Sequence, residues 1–139
     1  MSKYIVVDRD MLFFDPMFGH RTVNVIEPRI IRGSGMASVN NKKICVLGDE
    51  RQVRLKAIYT IPGYSPGQGI VTITLLNADQ QVMWCWSKKP VILVGSKFLA
   101  LFTPTSPAIM TSPPATPDPS APTPGSGKFI NSQFFVTAS

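Results

Sequence analysis

With 139 residues, 16% charged side chains and a formal net charge of +6, the chain has room for one domain with a modest core. Ten glycines and 13 prolines argue for many turns and little helix, which speaks against a helical bundle. No apolar run reaches the length of a membrane-spanning helix, and the basic balance permits an anionic partner without identifying one.

The first zone, residues 1–27, holds YIVV, a charged DRD step and MLFFDPMFGH. Pro16 and Gly19 interrupt its apolar pattern, so a long helix is not expected, and the zone is read as packing on the body. Charges inside MSKYIVVDRDMLFF break what would be the apolar stretch of a signal peptide, so synthesis in the cytoplasm without one is the expectation.

Residues 28–102 form the expected β body. Gly33, Gly35, Asn41 (in an Asn40-Asn41 turn), Gly48 and Asp49 read as turn positions around the short run KKICVLG. LKAIYTI stops at Pro62-Gly63, and Gly67 and Gly69 extend the turn-forming stretch that follows. GIVTITLL alternates, with Val71, Ile73 and Leu75 on one face and Thr72 and Thr74 on the other. QVMWCW, PVILVG and SKFLALF complete a set of short strands rich in branched and aromatic residues. Only DERQVRLKAI reads as helix, and a single turn would satisfy it.

Residues 103–127 are dominated by Pro, Ser, Thr, Ala and Gly. Eight of the 21 residues from Pro104 to Pro124 are proline, which reads as an extended linker, or alternatively as a ligand for a proline-binding domain. Residues 128–139 return to apolar character in KFINSQFFV, a strand or anchor. The fold class expected is mainly β, with short strands, Gly-rich turns and a Pro-rich C-terminal extension.

The chemistry-bearing residues are sparse. Asp15 and His20 could make an acid–base pair, but no serine or cysteine is placed as a nucleophile, so no enzyme is expected. GSG and GYSPGQG lack the spacing and following helix of a phosphate loop. Cys45 and Cys85 sit in apolar strand contexts and are expected to be reduced and buried; a disulfide and a free reactive thiol are the alternatives. His20, Cys45, Cys85 and Asp49 are the types that a tetrahedral zinc needs, but no close ligand pair supports a site. No cofactor is therefore expected, with a structural zinc as the alternative. Arg29, Arg32, Lys42, Lys43, Arg51, Arg54 and Lys56 cluster in the first half of the body. With Tyr59, Tyr64, Trp84 and Trp86 as stacking surfaces, they make a small β-barrel nucleic-acid-binding module the alternative function.

IRGSGMASVNNKKICVLGDE resembles the opening of PAAR-type spike-tip domains, with Asn41 where that family usually has glycine. YTIPGYSPGQGIVTI resembles the family's return loop and next strand, and KPVILVGSKFLALFTPTSPA resembles a stretch of PAAR-like proteins from phages and contractile injection systems. The resemblance spans Arg29 to Ala108. It implies a small conical domain without enzymatic activity that caps a trimeric β-helical spike, one copy per trimer, in a contractile tail or type VI secretion system. The cone would sharpen the spike for membrane puncture. Membrane contact would be transient, any effector a separate chain, and nucleic acid no partner. The expected final location is a virion baseplate tip or a secreted injection apparatus. The zinc-binding tips of that family use three histidines and one cysteine, a pattern absent here. The aliphatic residues of GIVTITLL and PVILVG are the expected docking surface, led by Val71, Ile73 and Val91; alternation leaves open which face points outward.

Overall fold

The computed structural model describes residues 3–83, 89–130, 133 and 137–138. In chain order the strands are β1 (Lys3–Tyr4), β2 (Met11–Phe14), β3 (Met17–Phe18), β4 (Arg21–Val25), β5 (Ser38–Val39), β6 (Lys42–Lys43) and β7 (Arg54–Thr60). They continue as β8 (Gly67–Leu75), β9 (Gln81–Val82), β10 (Val91–Ile92), β11 (Phe98–Ser106), β12 (Thr123–Ile130) and β13 (Thr137–Ala138). The DERQ turn expected as helix is a single 3-10 turn over Asp49–Gln52. The mainly β class is what the chain adopts.

Seven strands form one sheet in the order β2-β12-β11-β8-β7-β4-β3, every neighbouring pair antiparallel. The two ends of that order are one piece of chain, because only Asp15 and Pro16 separate β2 from β3. The Asp15 N–H donates to the Ser126 carbonyl on the β12 side, while the Pro16 carbonyl accepts from the Val23 N–H on the β4 side. Proline suits this change of partner, since it has no N–H to leave unpaired. The sheet therefore curls round on itself into a small half-barrel, with its two end strands joined through Asp15-Pro16. Where it closes, the Phe18 ring lies over Gly125, and any side chain at Gly125 would collide with it.

Alternation fills the inside. Leu12, Phe14, Phe18, Leu55, Ala57, Tyr59, Val71, Ile73, Phe98, Ala100, Phe102 and Phe129 all point into one core. Gly67 and Gly69 are not turns but strand positions in β8. A side chain there would strike the rings of Tyr59 and Phe102 respectively, so glycine makes room for the large aromatics of the neighbouring strands. The alternation read from GIVTITLL holds for Val71 and Ile73 and fails at Leu75, which is 59% exposed. The pairing explains it: Leu99 faces Leu75 while the next residue, Ala100, faces Ile73, so Thr74 is bulged and the strand flips its face. Leu76 is buried instead.

The barrel strands follow one another up and down, so their connections fall at two ends. At one end sit the N-terminal segment, the β4–β7 excursion and the β8–β11 excursion. At the other sit the short β3–β4 and β7–β8 turns and the Pro-rich β11–β12 connection. That connection differs from the expected spacer. Thr103–Ser106 completes β11, Thr123–Gly127 opens β12, and the residues between are anchored to the barrel. Of the C-terminal zone, Lys128–Ile130 belongs to β12 and Thr137–Ala138 pairs with β1. Phe134 and Phe135 lie outside the described residues.

Candidate functional site

At the excursion end, three short segments meet: Tyr4–Asp8, Lys43–Leu47 and Pro90–Val94. Their backbone bonds close a ring. The Val6 N–H donates to the Ile92 carbonyl at 2.9 Å, the Ile92 N–H to Cys45 at 3.0 Å, and the Cys45 N–H to Val6 at 2.8 Å. A second ring repeats the scheme: Asp8 to Lys43, Leu47 to Pro90 and Val94 to Tyr4, at 2.7, 2.7 and 3.0 Å. The bridges Val7–Ile44, Val46–Val91 and Ile5–Leu93 join the same three segments pairwise. Each segment thus plays the same part toward the next, which is a pseudo-threefold arrangement within one chain.

The correspondence reaches further. Arg9, Gly48 and Gly95 occupy equivalent positions and share positive φ, at 68°, 109° and 52°. Glycine adopts that conformation without strain; Arg9 does so at some cost. One residue on, Asp10 and Asp49 each accept the N–H of the residue three back, Val7 and Val46, at 2.9 Å. Each segment also belongs to a two-stranded antiparallel ribbon: β1–β13, β5–β6 and β9–β10. Val6, Cys45 and Ile92 pack into the barrel core. Their neighbours Ile5, Val7, Ile44, Val46, Val91 and Leu93 form a second core beneath the ribbons. Met36 and Met83 flank the ribbons at 77% and 63% exposure, the highest of the large apolar side chains described.

The opposite end is held by a buried ion pair. Arg21, on β4, is fully buried beneath the Pro-rich connection. Its Nε donates to Asp118 Oδ2 at 2.9 Å, and its terminal nitrogens reach the carbonyls of Ala121 and Pro119 and the Thr123 hydroxyl. The Tyr59 hydroxyl donates to Asp118 Oδ2 and accepts from the Ala108 N–H. His20 Nε2 meets Asp118 Oδ1 at 3.0 Å. The Arg21 guanidinium also lies over the rings of Tyr59 and Phe102. Burial pushes the Asp118 carboxyl up, but the donors His20, Tyr59 and Arg21, with the Arg21 charge, outweigh it and hold the group below its ordinary value. An arginine with this many fixed partners is a strap across the connection, not a catalytic group.

The residues singled out in the sequence fall in several places. Val71, Ile73 and Val91, expected as docking residues, are buried at 0%, 4% and 0%. Barrel closure turns the Val71–Ile73 face inward, and the ribbon layer covers Val91, so none offers a docking surface. Asn41 forms the hairpin turn with Asn40 at positive φ, and Gly63 and Gly48 also adopt positive φ. Gly33 and Gly35 let the backbone cross tightly over Lys43 and Ile44. Asp49 accepts from the Ser34 N–H and hydroxyl and the Val46 N–H. The candidate zinc ligands do not converge. His20 is on Asp118, Asp49 is on Ser34 and Val46, and Cys45 is buried in the core; Cys85 lies outside the described residues. Among the described residues no three His, Cys, Asp or Glu side chains gather. Burial, with the charges of Asp49, Asp10 and Asp8, pushes the Cys45 thiol far up.

The stacking surface needed by a nucleic-acid module is not assembled either. Tyr59 is fully buried and Tyr64 packs partly against the core, while Trp84 and Trp86 lie outside the described residues. The basic residues are dispersed: Arg54 and Lys56 on the outer face of β7, Lys42 and Lys43 on the β5–β6 ribbon, Arg51 in the 3-10 turn, and Arg29 and Arg32 in the segment between β4 and β5. The threefold segments were missed in the sequence, though a signal is present. KYIVVDRD, KKICVLGD and KPVILVGS share a lysine, three apolar residues and a closing Asp or Ser at the same offsets.

Across residues 1–139 the chain matches the family described as contractile injection system spike tip protein. No curated protein matches it.

Proposed function

The chain belongs to the contractile injection system spike tip family, a structural component that caps the injection apparatus and not an enzyme, and we propose that its ribbon end docks one copy onto the end of a trimeric β-helical spike. The observation that carries this reading is the pseudo-threefold ring of backbone bonds among Tyr4–Asp8, Lys43–Leu47 and Pro90–Val94. A single chain can meet three identical partner chains only if it presents three similar faces. The three ribbons do so, and among the described residues the outer strand of each pairs only with its ribbon partner, an edge that a partner strand can extend. Met36 and Met83 add adaptable apolar surface beside two of the ribbons.

In this reading the Pro-rich end leads. Its proline content and the Arg21–Asp118 strap limit how far the connection deforms under load. Transient membrane contact, and any separate effector chain, would engage this leading end. The assembled location is a virion baseplate tip or a secreted injection apparatus.

The test is co-purification with the cognate spike, with the mass of the complex measured by light scattering. One tip per spike trimer is expected. Met36→Asp with Met83→Asp should abolish capture while circular dichroism shows an unchanged β spectrum. A tip that forms its own stable trimer, or that fails to bind the spike, would refute the single-cap reading.

A further inference from the structure

Two prolines stand three residues apart at Pro104–Pro107, Pro114–Pro117 and Pro119–Pro122. The structure treats these pairs differently. Pro104 is half-buried in β11. Between Pro114 and Pro117 the chain bends back, with the Thr116 N–H donating to the Pro114 carbonyl at 2.7 Å. From Asp118 to Pro122 there is neither turn nor bend, and Pro119, Ser120, Ala121 and Pro122 are all exposed. Local chemistry holds this stretch extended. Proline fixes φ at positions 119 and 122, and Asp118 and Ala121, each followed by proline, are biased toward extended backbone. Arg21 then clamps it from beneath: its terminal nitrogens reach the Pro119 carbonyl at 2.6 Å, the Ala121 carbonyl at 2.8 Å and the Thr123 hydroxyl at 3.0 Å. The inner side of the segment is fixed while both prolines stay exposed.

We infer that Pro119–Pro122 is a docking segment for a second protein whose surface carries an uncharged groove lined by aromatic side chains. In an extended chain of three residues per turn, Pro119 and Pro122 stand on one face, the spacing that aromatic-walled slots accept. A segment already held extended loses little conformational freedom on binding. Charge narrows the partner further. Residues 103–127 contain one charged side chain, Asp118, and it is buried against Arg21. A groove that selects by charge, or an anionic lipid surface, therefore finds nothing on the connection to hold. The inference goes beyond the spike docking above and is independent of it, since it concerns the opposite end of the molecule.

The experiment titrates isotope-labelled full-length tip with two probes of that groove chemistry, a WW domain and an EVH1 domain, and follows backbone amide signals by NMR. Shifts at Ser120 and Ala121 are expected with at least one probe. Pro119→Ala with Pro122→Ala should weaken binding about tenfold or more. Both replacements keep the backbone carbonyls that Arg21 holds, so the fold is retained, and circular dichroism checks it. Ser120→Glu leaves both prolines in place and should also weaken binding, because it brings a charge into an uncharged groove. Pro114→Ala with Pro117→Ala should leave binding unchanged. Absence of shifts with both probes overturns the inference, as do shifts that survive loss of Pro119 and Pro122 or that depend equally on Pro114 and Pro117. Phosphatidylcholine vesicles form the second arm: if vesicles shift Ser120 and Ala121 and neither domain does, the segment faces lipid and the inference falls.

Discussion

Removing the Asp118 carboxylate is the sharpest test of how the leading end is held. Arg21 is fully buried, and Asp118 is 4% exposed. In Asp118→Ala the guanidinium loses its only carboxylate among the described residues, and the Tyr59 hydroxyl loses its acceptor. Breaking a buried ion pair from one side costs about 3–5 kcal/mol, because the other charge stays buried. Arg21 keeps the Ala121 and Pro119 carbonyls and the Thr123 hydroxyl, which favours the low end, about 3 kcal/mol. At roughly 3–4 °C per kcal/mol for a domain of this size, the melting temperature should fall by about 10 °C. His20→Ala removes a partner that is 53% exposed and should cost under about 1 kcal/mol. The double variant Arg21→Met with Asp118→Leu should recover much of the loss, since it leaves no buried charge behind. Calorimetry gives these values, and limited proteolysis within residues 107–122 reports the connection locally. If Asp118→Ala costs under 1 kcal/mol and the connection stays protected, the ion pair does not hold that end.

Acid should act through the same carboxylate. Its folded value lies below the ordinary 3.8, so the stabilisation is fully present above that value and is lost as pH falls through the folded one; Asp118→Asn should flatten the acid limb of a stability profile. Cys45 should resist thiol reagents in the native protein and react once guanidinium unfolds it, which mass spectrometry reads directly; native-state labelling would place the thiol elsewhere. Gly48→Ala meets open space and should cost only the backbone term of about 1 kcal/mol, whereas Gly95→Ala also runs into Gln80 and Asp79 and should cost more in chemical denaturation. Val71→Glu should cost more than about 4 kcal/mol and abolish folding, while Thr74→Glu on the bulge should stay within about 1 kcal/mol; equal effects would contradict the assigned inside of the barrel.

The sequence by itself determined what depends on near neighbours. Asn40-Asn41 tolerates the positive φ of a tight turn, Pro62-Gly63 ends a strand, and Val71 and Ile73 share a face because successive strand residues alternate. The order of the motifs from Arg29 to Ala108 resembled the family, and the family match agrees. What only the tertiary structure decided lies in pairings across the chain. The Val71–Ile73 face turned inward because β2 and β3, split at Pro16, close the sheet between β12 and β4, a contact more than 100 residues apart in sequence. Leu75 left its face because a bulge at Thr74 depends on the register of β11, which β8 alone does not specify. Asp118 read as one more residue of a proline-rich spacer, since its value comes from His20, Arg21 and Tyr59, all distant in sequence. The threefold end stands between the two. Its repeat is written in KYIVVDRD, KKICVLGD and KPVILVGS, yet apolar triplets recur by chance in any β protein. Only the closed ring of backbone bonds, which needs all three segments in place at once, makes them equivalent.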